Sequence, residues 1–251
     1  MDRARQGAAA PAHQPYQCAC RAVTSLTPEE RRHLARLYLR YYDGSDETRF
    51  FGDLDDKSEV LLLYHAGLVV GFTTFVPYDF DWRGLRRRVV FSGDTIIEPA
   101  HWGQQTFSYA WTARMGRLYR EAAMLPLYWF LIVKGHRTYR FLPLVGRTFF
   151  PHWQQPPDPE LRALAGALAA ARFGAAFDAA SGLIRFEHSH GHLKPEIAQP
   201  TARELAKPAV AYFLERNPGY RRGDELVCLC PLREDNMSAF ARRVFLNERD
   251  A

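Results

Sequence analysis

The run Leu-Tyr-Trp-Phe-Leu-Ile-Val, Leu127 to Val133, is the strongest constraint in the sequence: seven apolar residues stopped by Lys134 and Gly135. A strand with one wet face alternates apolar and polar residues. A strand with none reads as an unbroken apolar run, and seven residues are too few for a membrane span. The run is therefore a fully buried central strand, and the chain must build a sheet around it. With 251 residues there is enough chain for one large domain, or a domain and a half, that needs no staples.

The neighbouring segments supply the sheet and its cover. "SLTPEERRHLARLYLRYYDG" opens a helix with Thr27 as N-cap, Pro28 at the first position and Glu30 as capping-box partner, and Leu34, Leu37, Tyr38 and Tyr41 form one apolar stripe. Two strands follow, Val60 to His65 and Leu68 to Val76, joined by a tight His-Ala-Gly turn, with Gly71 marking a bulge or a close backbone approach. A basic turn, "DWRGLRRR", leads to the strand "VVFSGDTII". The stretch from Gln105 to Arg120 is predicted to be helical, with Tyr109, Trp111, Met115, Leu118 and Tyr119 on its apolar face. Past the buried strand come a short helix or loop to Gly146, a Pro-rich connector at Trp153 to Glu160, an Ala-rich helix, the strand "GLIRFEH", a helix with an internal Pro208, and the late strand "DELVCLCPL". The order describes a mixed α/β or α+β domain around one sheet.

Composition narrows the function classes. The formal charge of +5 lies in Arg clusters at Arg83 to Arg88 and at Tyr220 to Asp224, which suit a phosphate-bearing partner or solvated turns alike. No helix-turn-helix, zinc-finger or RNP motif accompanies them, so nucleic-acid binding is not expected, and a Gly-x-Ser-x-Gly hydrolase lacks its motif. Aromatics at 14% fit a pocket for apolar groups. The first 15 residues lack an apolar signal segment and no window is long enough to cross a membrane, so residues 1–22 are expected to be a disordered tail and the protein cytoplasmic. Cys18, Cys20, Cys228 and Cys230 form Cys-x-Cys pairs that read as buried free thiols. His188, His190 and His192 alternate, so in an extended chain all three point one way and a metal site is conceivable. No fourth ligand is specified.

The stretch "DTIIEPAHWGQQTFSYAWTARMGRLYREA", from Asp94 to Ala122, poses the functional question. A strand stops at Pro99, a turn holds the single Gly103, and a long helix follows, an arrangement suited to an anion because a helix N-terminus offers unpaired N–H donors and a positive dipole end. On the strand, Asp94 and Glu98 are four residues apart and so share a face, with His101 just beyond, and either carboxylate could serve as a base. Lys134, His136 and Arg137 follow the buried strand at its C-terminal end, where open sheets expose functional groups.

These residues resemble the GNAT acyltransferase fold over Leu26 to Phe150: the "LLLYHAGLVVGFTTF" hairpin, the Ile97-x-Pro99 strand end, Gly103 in the turn and "GRTFF" after the last short helix. The resemblance implies an α/β (mixed α+β) fold with a GNAT-like central mixed sheet flanked by helices over 23–153. A C-terminal α/β extension, 154–251, would complete the sheet and cover the pocket. It further implies a donor lying along Thr95, Ile96 and Ile97 with phosphate near Trp102, Gly103, Gln104, Gln105 and Thr106, and a tyrosine acid whose position falls on Leu142, with Tyr139 three residues earlier. Gln105 and Phe107 stand where the family's phosphate loop has small residues, and a side chain there should push pyrophosphate outward. The expected function is transfer of an acyl group from a phosphopantetheine thioester, on acyl carrier protein or as acyl-CoA, to a small-molecule amine, with no metal. Arg86, Arg87 or Arg114 would hold phosphate if the donor is acyl-CoA. The alternative is a GNAT-like scaffold that has lost acyl transfer and acts as a binding module or in another reaction.

Overall fold

The computed structural model describes residues 15–247 apart from 123 and 189. In chain order the elements are β1 (Gln17–Ala22), α1 (Pro28–Tyr41), β2 (Tyr42–Asp43), α2 (Glu47–Asp55), β3 (Glu59–His65), β4 (Leu68–Trp82), β5 (Leu85–Ile97), α3 (Thr106–Glu121) and β6 (Leu127–Val133). Then follow α4 (His136–Tyr139), α5 (Leu142–Val145), α6 (Pro159–Phe173), β7 (Phe177–Asp178), β8 (Leu183–Ile184), β9 (His192–Leu193), α7 (Pro195–Ala198), α8 (Ala202–Leu205), α9 (Pro208–Arg216), β10 (Glu225–Pro231) and α10 (Ala239–Phe245).

Eight strands form one sheet in the order β1-β3-β4-β5-β6-β10-β8-β7, antiparallel throughout except where β5 and β6 run parallel. The apolar run Leu127–Val133 is β6, flanked by β5 and β10 and buried on both faces. One face carries α1 and α2 over Val60, Leu62 and Phe72, and α6 over Val89, Phe91 and Phe130. The other carries α3, α9 and α10, with Trp111, Phe213 and Phe245 packed on Leu61, Trp129 and Leu131. No helix of the described residues is long and apolar enough to cross a membrane.

Several sequence expectations need correction. Residues 17–22, placed in a disordered tail, are edge strand β1, because Cys18 and Cys20 find apolar cover against the core; residues 1–14 lie outside the described residues. The basic segment before "VVFSGDTII" is not an extended turn. Only Arg83 and Gly84 turn the chain, both at positive φ (52° and 72°), and Arg86 to Arg88 continue β5 opposite Phe80 to Asp81 and Asp79. Helix α2, capped by Asp46, was not foreseen. Pro208 does not sit inside a helix but opens α9 at its first turn, where its missing N–H costs nothing, and α8 is a separate turn capped by Thr201 and Glu204. "GLIRFEH" contributes only Leu183 and Ile184 to the sheet.

Candidate functional site: a split between two parallel strands

Strands β5 and β6 are paired from Arg88 with Leu127 to Ser92 with Leu131, and there the pairing stops although both strands continue. Trp129 pins the last paired position, its indole N–H donating to Ser92 Oγ at 2.8 Å. Just beyond it β5 bulges. Gly93 faces Thr74 and Ile96 faces Phe72, so Asp94 and Thr95 together oppose Thr73. Asp94 takes the left-handed conformation at φ 39°, a state that Asp reaches more readily than most residues. The Thr73 and Thr95 hydroxyls share a hydrogen bond of 2.7 Å, and Thr73 and Thr74 each donate to Gly93 O at 3.3 Å, which fastens the bulge to β4. Gly71 is required here: a Cβ at that position would stand 2.9 Å from Ile96 O.

The strands part around a cleft of about 1090 Å³ that opens on both faces of the sheet. On the α3 side its walls are the turn from Trp102 to Gln105 and the segment from Gly135 to Leu144, with Phe240 of α10 at the mouth. On the α2 side they are Asp53, Lys57, Phe91, Arg172, Phe173 and His190. Asp94 and Lys134 lie between, with Glu225 of β10 beside them.

Of the four candidate catalytic residues, the cleft holds Asp94 alone. Its carboxyl makes no hydrogen bond or ion pair among the described residues. Desolvation pushes its pKa up, the charge of Asp53 adds to this, and Lys57 and Lys134 pull it down. Glu98 lies just past the end of β5 and is not part of the cleft lining; it turns to Arg40 of α1. His101 lies with it, 3.8 Å from Glu98 Oε2, and its Nδ1 is 3.0 Å from the Tyr16 hydroxyl. Tyr139 is wholly buried, its hydroxyl donates to Pro151 O at 2.8 Å, and burial raises its pKa far above the ordinary range, so it offers no proton to the cleft. Leu142 is fully buried as well.

Of the candidate donor-binding residues, Thr95, Ile96, Ile97, Trp102, Gly103, Gln104 and Gln105 line the cleft and Thr106 does not. Gly103 needs its freedom, at φ 89°. Gln104 Oε1 accepts from Phe107 N at 2.9 Å and so caps one of the orphan donors of α3. Phe107 does not crowd this turn, contrary to expectation: its ring points into the core and is 2% exposed. Ile97 O already accepts from the Trp102 indole at 2.7 Å, and Arg137 covers that ring at 4.3 Å.

The arginines proposed for phosphate are engaged elsewhere. Arg114 forks onto both oxygens of Glu59 at 2.8 Å, Arg87 donates to Trp82 O and Leu85 O, and Arg86 lies among Asp79 and Asp81. Arg137 and Arg140 line the cleft instead.

Glu225 and Lys134 form the buried ionic pair of the site. Lys134 Nζ lies 3.4 Å from Glu225 Oε1 and donates to His190 O at 3.3 Å. Glu225 is 6% exposed; desolvation raises its pKa to about 7 against the pull of Lys134, and Asp94 and Asp53 push the same way. Sequence reasoning missed it. The available signal was an acid opening an otherwise apolar strand. The three histidines do not gather: His190 stacks on Phe186 at 3.5 Å in the cleft wall, His192 pairs with Asp43 in the small β2–β9 ladder, and among the described residues no group of three metal-ligating side chains occurs.

The arrangement is a mixed, mostly antiparallel sheet between helices, split between two parallel strands ahead of a helix N-terminus. No family model matches the chain, and no curated protein does. Similar solved structures include a probable N-acyltransferase of unknown function from Enterococcus faecalis V583, 14% identical over 54% of this chain with a TM-score of 0.41; this chain spans 33% of its length. The GNAT family N-acetyltransferase YhbS from Escherichia coli, in complex with CoA, is 16% identical over 54% of this chain and 71% of its own, with a TM-score of 0.36. Escherichia coli ElaA is 14% identical over 58% and 95%, with a TM-score of 0.38. Likenesses at this level assign no chemistry to the chain.

Proposed function

We propose that the cleft transfers an acyl group from a phosphopantetheine thioester to an amine. The observation that carries this reading is the split of β5 from β6 after Ser92, which leaves the backbone from Thr95 to Ile97 beside an open channel and sets an unpaired carboxyl, Asp94, where the channel crosses the sheet. A slender amide-bearing arm laid in the channel takes the place of the missing strand pairing. Its phosphate end reaches the turn at Gly103 and the α3 N-terminus, near Arg137 and Arg140. The amine enters from the α2 side. Its nitrogen attacks the thioester carbon, the new C–N bond replaces the C–S bond, Asp94 takes the proton released from nitrogen directly or through water, and the thiolate leaves to be protonated.

The donor side favours a carrier protein over free CoA. Arg86, Arg87 and Arg114 are occupied, Arg137 is paired with Glu204 at 3.0 Å, and the mouth is rimmed by exposed Leu144 and Phe240. A mouth with so few free cations suits a donor that brings one phosphate and an apolar contact surface better than a free nucleotide. All four cysteines are free thiols, as in a reducing compartment, and we place the reaction in the cytoplasm.

The test is an isothermal titration of the full chain with acetyl-CoA, a long-chain acyl-CoA and an acyl carrier protein bearing the same chain, at low and moderate salt. Binding of the loaded carrier alone, weakened by salt, supports the carrier reading. Tight binding of either CoA thioester moves the donor to acyl-CoA. No binding of any of the three overturns acyl transfer.

A further inference from the structure

The α2 side of the cleft carries a charge pattern that specifies more than an amine in general. Three basic side chains line it, and each has a partner. Lys134 lies on Glu225 and His190 O; Arg172 pairs with Asp56; Lys57, 8% exposed, donates to Asp53 O at 3.0 Å and stands 3.7 Å from Asp56 Oδ2. His190 is held below its ordinary pKa, first by burial and then by the charge of Arg49. The acids are not so balanced. Asp94 and Asp53 both line the cleft and neither side chain has a hydrogen bond or ion pair among the described residues.

A ligand carboxylate entering here meets no unpaired cation and two unpaired anions. For a ligand ammonium the same two unpaired anions are attractive. Desolvated carboxyls gain most from a counterion, because Coulomb attraction grows as water is removed. The wall beside these acids is aromatic: Phe91, Phe173 and Phe186 stand together, with Phe91 and Phe186 each in contact with Phe173 at ring-centroid distances of 5.9 and 6.2 Å. Arg172 and Lys57 lie over the Phe91 ring and His190 stacks on Phe186, and this layered aromatic wall takes an apolar, ring-bearing body.

We propose that this half of the cleft takes a cationic amine that carries an apolar, ring-sized body and no carboxylate beside its nitrogen. The inference rests on the acyl-transfer reading for the amine's fate, and not for its binding. Asp94, nearest the split, receives the reacting nitrogen, and Asp53 supplies the second negative charge that turns a zwitterion away.

The experiment compares three ligands with the same ring and different charge: phenethylamine, L-phenylalanine and 2-phenylethanol, titrated calorimetrically into the full chain at pH 7.5. Phenethylamine is expected to bind roughly tenfold or more tighter than either of the others, the scale of one charge-assisted hydrogen bond. Asp94→Asn, which keeps the left-handed backbone available, and Asp53→Asn should each narrow the gap between phenethylamine and phenylalanine. Phenylalanine binding as tightly as the amine, or a gap that neither variant changes, overturns the proposal. Amine binding in a protein that binds no thioester donor upholds this inference while sinking acyl transfer. Donor binding without amine binding sinks this inference alone.

Discussion

Glu225 Oε1, at the start of β10, lies 3.4 Å from Nζ of Lys134, the residue that follows β6, with Glu225 6% exposed. Burial raises its pKa from 4.5 to about 7. Between those values the native state holds a proton that the unfolded chain has released. The stability Glu225 contributes is therefore full below pH 4.5 and is lost as pH rises through 7, by on the order of 3 kcal/mol. Urea unfolding of the wild type and of Glu225→Gln at pH 5 and pH 8 should show the wild type losing stability relative to the variant at the higher pH. A gap independent of pH would refute the assignment.

Replacing Asp94 by Asn should lower kcat/KM for acyl transfer about 10²- to 10⁴-fold, the range for removal of a general base, with little change in stability. The wild-type rate should rise with pH through a value above the ordinary carboxylate range, because burial pushes this group up. Asp94→Ala should lose the same activity and also cost about 1 kcal/mol of stability or more, since its Cβ must be held at φ 39° without a side chain that tolerates it.

Gly103→Asp places a negative charge at the mouth of the α3 N-terminus. The space around Gly103 is open, so the fold should survive with a loss of about 1 kcal/mol for the positive φ, while donor affinity falls roughly tenfold or more. Calorimetric titration of the donor beside a thermal melt separates the two effects. An unchanged affinity would remove the donor phosphate from this turn.

Gly116, in the middle of α3, is where α10 crosses. A Cβ there would stand 2.1 Å from Phe245 O, so Gly116→Ala cannot be accommodated without displacing backbone. It should cost about 1–3 kcal/mol in urea unfolding, and because α10 carries Phe240 at the cleft mouth, donor binding should weaken with it.

The residues whose neighbours are local were legible in the sequence, and those placed by distant strands were not. Thr27, Pro28 and Glu30 announce α1 because a capping box is closed within four residues, and Leu127–Val133 announces a central strand because burial on both faces leaves no polar position. The bulge at Asp94 carries no such mark: no Gly, Asn or Pro stands at the left-handed position, and it is held by threonines from β4. The same bulge sets Asp94 in the cleft lining, while Glu98, past the end of β5, is held by Arg40. Tyr139 and Phe107 were misplaced for a related reason. Which way a ring points depends on the elements packed above it, here Pro151 for one and the core beneath α3 for the other.

A sheet whose strands separate at one end has an edge in its interior. Edges of that kind ordinarily invite a neighbouring molecule to add a strand and begin aggregation. Here the Trp102 indole occupies Ile97 O, the cleft is walled by helices on both faces of the sheet, and the residues after β6 turn at once into α4. The fold thus keeps an unmet hydrogen-bonding edge inside a walled cleft, where a ligand and not a strand end is its neighbour.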